Sequence, residues 1–189
     1  MSRYVALLRG INVGGKNSVP MARLRAVLEE LGFTDVATYI ASGNVILDSE
    51  RSAAETGALI EEALPREFAL HDEVVRVLVL PQKRLHAIVD DRPEGFGSQP
   101  DRYHCDAIFL MGIEAAEAMA VFDPRPGVDA VWPGDGVIYS QRLSAQRTKS
   151  RLSKVMGSPL YKSMTIRSWN TTTTLLELLQ ARDVRAGGR

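Results

Sequence analysis

Tyr4-Val5-Ala6-Leu7-Leu8-Arg9-Gly10-Ile11-Asn12-Val13-Gly14-Gly15-Lys16-Asn17 decides how the rest of the chain is read. Five apolar or aromatic residues in a row predict a buried strand ending near Leu8. Three glycines in six positions then open the backbone to positive φ and to close approach by a partner. Arg9 and Lys16 flank that opening with positive charge. A stripe of Met21, Leu24, Val27, Leu28 and Leu31 predicts a helix from Pro20, closed by Gly32. A glycine-rich loop between a strand and a helix start, bracketed by two cations, is an expected anion site.

The loop matches the phosphate-loop pattern G-x4-G-K-[ST] at every position except the last, where Asn17 replaces the hydroxyl that holds magnesium. Nucleotide hydrolysis is therefore not expected. Binding of a phosphate-bearing small molecule or a nucleic-acid backbone is. Two other readings stand beside it: an enzyme acting on a small phosphorylated or carboxylated substrate, and an interaction module for an acidic protein. The sequence shows no general base or nucleophile motif that would commit it to catalysis.

Downstream, Thr34 to Ile40 and Val45 to Leu47 read as strands around the turn Ala41-Ser42-Gly43-Asn44. Ser49 or Ser52 caps a helix through Leu64, and Val74 to Leu80 is a further strand. A short helix follows Pro81. The polar stretch 93–101, with Pro93, Gly95, Gly97 and Pro100, reads as a linker between residues 1–92 and 102–189. Beyond it come a strand from Cys105 to Met111, a helix from Glu114 to Phe122, and strands Val128 to Trp132 and Val137 to Tyr139. A short helix from Arg151 to Met156, a strand from Met164 to Arg167 and a terminal helix to about Gln180 complete the chain. The order βαββαβ occurs twice, so the expected fold class is α+β: two ferredoxin-like units packed together, with an extra C-terminal helix.

The 189 residues carry no net charge, yet their cations are concentrated. Residues 1–28 hold five of the 23 basic side chains and residues 136–176 hold seven, with no acid in either segment. If the fold joins them they make one positive face. The expected ligand site is thus Arg9, Gly10, Asn12, Gly14, Gly15, Lys16, Asn17, the turn Ser42-Gly43-Asn44, and the junction Arg167, Trp169, Asn170 and Thr171. Asn170 or Thr171 is the expected cap of the last helix, and Trp169 is either a packing residue or a stacking platform. His71, His86 and His104 lack metal-ligand spacing, and the single cysteine, Cys105, excludes an intramolecular disulfide. No metal or cofactor is expected. A cytoplasmic protein without membrane association is, and nothing in the pattern fixes an oligomeric state.

The blocks Tyr4 to Asn17, Pro20-Met21, Leu31-Gly32-Phe33, Tyr39 to Val45 and Arg167-Ser168-Trp169-Asn170-Thr171 resemble the domain of unknown function 1697 family (DUF1697), chiefly bacterial. The resemblance runs from Tyr4 to about Leu179 and implies the same two-unit α+β fold. The family more often shows Asn where this chain has Ser168. It brings no activity with it.

Overall fold

The computed structural model describes residues 1–71 and 75–187, with side chains as far as residue 182. It contains two four-stranded antiparallel sheets, each with helices. By packing, the chain divides into one unit of Met1–Leu85 with the chain from Leu175 onward, and a second of His86–Thr174.

In the first unit the strands are β1 (Ser2–Arg9), β2 (Thr34–Tyr39), β3 (Asn44–Ser49) and β4 (Arg76–Pro81), in the order β2-β3-β1-β4. The expected start of the fourth strand at Val74 lies outside the described residues. Helices α1 (Met21–Glu30) and α2 (Ala53–Glu67) cover one face. Tyr4, Ala6 and Leu8 pack there with Leu24, Leu28, Ile60 and Leu64. Val5 and Leu7, on the alternate face of β1, are equally buried, which is why the strand reads as an unbroken apolar run.

Local signals set the helix limits. The Gly32 N–H donates to Glu29 O and the Phe33 N–H to Leu28 O, closing α1 with a left-handed residue at φ +89. Ser52 caps α2 in a reciprocal box with Glu55, so of the two expected caps the second is used. On β2 the register shifts between Thr34 and Ala37, where Asp35 sits at φ +48. The Asp35 carboxylate pairs with Arg3 at 3.5 Å and Arg182 at 2.8 Å.

Helix α3 (Gln82–Asp90) leads into the second sheet, formed by β5 (Tyr103–Leu110), β6 (Asp129–Gly134), β7 (Val137–Leu143) and β8 (Met164–Ser168). Its order is β6-β7-β5-β8, the same local arrangement as in the first. Helix α4 (Ala115–Met119) is shorter than its alanine-rich sequence implied. The expected helix at Arg151 to Met156 is a 3-10 turn, Leu152–Gly157, one of three between Ser144 and Ser163. Helix α5 (Trp169–Gly187) ends the described chain.

One face of the second sheet packs Ile108, Leu110, Ile138 and Met164 against Ala118 and Val155. The other holds an aromatic cluster. Phe96 lies edge-on to Trp132 (6.0 Å between centroids), Tyr139 (5.4 Å) and Trp169 (5.0 Å). Phe96 is a buried anchor inside the polar stretch 93–101, which falls within this unit. No helix among the described residues is long and apolar enough to cross a membrane.

Candidate anion-binding loop

The chain leaves β1 through Gly10 at φ +85, and the buried side chains of Ile11 and Val19 pin the two legs of the loop. Asn12 clasps them: its Nδ2 donates to Val19 O (3.0 Å) and Ala41 O (2.8 Å), and its Oδ1 accepts from Val19 N (2.8 Å). The backbone closes at Asn12 N to Asn17 O and at Lys16 N to Val13 O. Gly14 (φ +58) and Gly15 (φ +75) therefore form a two-residue turn with both residues left-handed, the type I′ geometry of tight hairpins. Asn17, 3% exposed and at φ +50, donates from Nδ2 to Gly10 O (2.8 Å) and accepts at Oδ1 from His71 N (2.7 Å). Asparagine tolerates this left-handed conformation better than other side chains with a Cβ.

The Ser42-Gly43-Asn44 turn meets the same loop. A Cβ on Gly43 would lie 2.9 Å from both Ile11 Cδ1 and Leu8 Cβ, so only glycine fits, and its carbonyl accepts from Leu8 N. Asn44 is fully buried, with Nδ2 donating to Tyr39 O and Ser42 Oγ, both at 3.0 Å. The ten expected residues of the first unit thus gather at one end of its sheet. Four of them, Asn12, Asn17, Gly43 and Asn44, build the scaffold. Lys16 and the glycine tip stand in solvent beside Val13, which is 67% exposed.

Sequence reasoning missed Arg76. Antiparallel pairing sets it directly opposite Arg9 at the root of the loop. Only the register of β1 with β4 reveals the pair, and residue spacing carries no such signal. The loop also departs from a phosphate loop in shape. Its glycines make a hairpin tip, and helix α1 begins at Met21, with five residues between it and Gly15. Asn17, at the position of the magnesium-binding hydroxyl, is engaged in holding the loop together.

The remaining four expected residues belong to the second unit. Arg167 is 7% exposed, and its Nη1 donates to Thr165 Oγ1 (3.0 Å) and Ile166 O (2.9 Å). Burial pushes its guanidinium down to about 10. Trp169 is part of the aromatic cluster. The cap of α5 is Ser168, whose Oγ accepts from Thr171 N (3.1 Å) and donates to Thr171 Oγ1 (2.9 Å). The expectation of Asn170 or Thr171 is corrected because a cap side chain reaches the N–H three residues on, which here is that of Thr171. Asn170 is exposed. Thr172 and Thr173 satisfy their hydroxyls on the carbonyls of Ser168 and Trp169, which lets a threonine run sit in a helix. Among the described residues no group of three or more His, Cys, Asp or Glu side chains is placed to hold a metal ion.

None of the curated proteins matches this chain. A solved structure, that of the conserved bacterial protein SP0830 from Streptococcus pneumoniae, is similar at 27% identity with a TM-score of 0.78, covering 94% of this chain and 98% of that one. The family model described as "Protein of unknown function (DUF1697)" matches residues 1–139, and the chain belongs to that family.

Proposed function

We propose that the protein is a cytoplasmic binding protein for phosphate-bearing ligands or a nucleic-acid backbone, acting through the basic loop of the first unit. We read both units as ferredoxin-like, since each has its third strand beside its first and its fourth on the far side. One observation carries the functional reading: Arg9 and Arg76 are cross-strand partners at the root of a braced loop whose exposed tip holds Lys16. With Lys16 they gather three cationic side chains at one end of the sheet, which favours an anion there. Braced glycines let a phosphate approach the backbone closely. The scaffold is what makes the loop suited to binding, because its shape is fixed before a ligand arrives.

The test is a thermal-shift screen of nucleotides, phosphosugars and short oligonucleotides, followed by salt titration of each hit. Contacts from Arg9, Lys16 and Arg76 to a single strand predict a log–log salt slope of about −2, at roughly −0.7 per phosphate neutralised. Lys16→Ala reduces the slope by about one contact. A ligand bound equally by both proteins refutes this site. Turnover of a bound phosphoester would favour the enzyme reading, and anion-independent capture of an acidic polypeptide the interaction module.

A further inference from the structure

A second polar cluster lies at one end of the other sheet. Strand alternation puts His104, Asp106 and Ile108 of β5 on one face, with Arg142, Ser140 and Ile138 of β7 opposite them in that order. Asp129 of β6 is the next neighbour of Arg142, and Ser168 of β8 flanks Asp106. Toward Ile108 and Ile138 this face is apolar core; at the His104 end it is polar. His104 Nε2 lies 3.0 Å from Asp106 Oδ1, with the imidazole 44% exposed and the carboxylate 16%. Burial pushes the Asp106 carboxyl up, against the pull of His104 and Arg142.

Two buried atoms here have no hydrogen-bond partner among the described residues: Asp129 Oδ1 and Arg142 Nε. Asp129 is 9% exposed, and its other oxygen accepts from the backbone N–H groups of Arg125 (3.0 Å) and Arg151 (2.8 Å). One atom requires a donor and the other an acceptor. Because their residues are direct cross-strand neighbours, with Cβ atoms about 5 Å apart, one small group placed between them can satisfy both.

We propose that this end of the second sheet is a second ligand site, taking a small molecule with a carboxylate beside a hydroxyl or ammonium group. The carboxylate accepts from Arg142, the neighbouring O–H or N–H donates to Asp129, and His104, positioned by Asp106, borders the entrance. Two carboxylates against one guanidinium disfavour phosphate, which separates this site from the basic loop. The orphaned donor and acceptor also admit a lone water, and His104 distinguishes the two. The full chain has three histidines, so their ring resonances are followed by NMR during titration with glycolate, glycine and inorganic phosphate. Glycolate or glycine is expected to shift the His104 ring saturably, with affinity lowered about ten- to a hundredfold in Arg142→Gln and Asp129→Asn. Lys16→Ala is expected to bind unchanged, so failure of the loop reading leaves this result intact. A folded spectrum for Arg142→Gln keeps the comparison valid if Asp129→Asn unfolds. If neither organic probe moves His104, or phosphate alone does, the site is overturned and the two atoms hold an ordered water only.

Discussion

Replacing Asn17 by alanine tests whether the basic loop is a braced scaffold. The substitution removes the bonds to Gly10 O and from His71 N. A polar group left without its partner costs roughly 1–3 kcal/mol, and the lower end applies because Gly10 is half-buried and His71 exposed, giving about 2 kcal/mol for the two. Alanine at φ +50 adds about 1 kcal/mol of left-handed strain. The expected loss is about 3 kcal/mol, or roughly 6–12 °C in melting temperature for a chain of this length. Asn17→Gly removes the amide without the strain and should recover about 1 kcal/mol. Both tryptophans, Trp132 and Trp169, belong to the second unit, so their fluorescence does not report on the loop's own unit. Urea denaturation followed by far-ultraviolet circular dichroism does. Lys16→Ala, on the exposed tip, should stay within about 0.5 kcal/mol of the parent. An Asn17→Ala protein equally close to the parent would refute the clasp, and a glycine variant no better than alanine would refute the strain.

Two further outcomes concern the second unit. In Gly97→Ala the new Cβ would lie 2.3 Å from Trp169 Cδ1 at a residue with φ +76, so the indole must move. A loss of about 2–4 kcal/mol and altered tryptophan emission are expected, and unchanged emission would count against the packing described. For Asp129, burial pushes the carboxyl up, but hydrogen bonds from the Arg151 and Arg125 backbone outweigh it and hold the group below its ordinary 3.8. A depressed carboxyl stabilises the fold above pH 3.8 and loses that contribution as pH falls through the folded value. Asp129→Ala should therefore cost about 2–4 kcal/mol at neutral pH, with the gap from the parent narrowing in acid denaturation; a gap constant with pH would contradict this.

The strand-loop-helix opening, the Gly32 stop and the turn at Gly43 were legible because each depends on residues close in sequence. The scaffold role of Asn12 and Asn17 was not. Both were expected as ligand contacts, and their partners at Ala41 and His71 lie far along the chain. Arg76 was hidden for the same reason, since its meaning comes from pairing with Arg9 across two strands. Phe96 was obscured by the prolines and glycines around it, whose composition reads as linker although one aromatic ring is enough to anchor the segment. The basic stretch after β7 lacks a helical stripe, and it folds as 3-10 turns because Pro159 and the serines at 150, 153 and 158 punctuate it. His104 and Asp106 were visible as residues, but the orphaned atoms of Asp129 and Arg142 exist only once β6 and β7 are paired.

The irregularity on β2 has a consequence for how the molecule behaves among its own copies. Both β2 and β6 are outer strands, and an outer strand offers unpaired backbone groups to any passing chain. The shifted register at Asp35 bends β2 out of the flat line that a docking strand needs, and its carboxylate adds a charge there. On β6, Pro133 has no N–H to give, so a fifth strand would meet a gap in the ladder. These two rims are guarded by different chemistry, one by bend and charge and the other by a missing donor. Removing either guard, by straightening the bulge or by replacing Pro133 with a β-branched residue, would trade colloidal stability at high concentration for a more regular sheet.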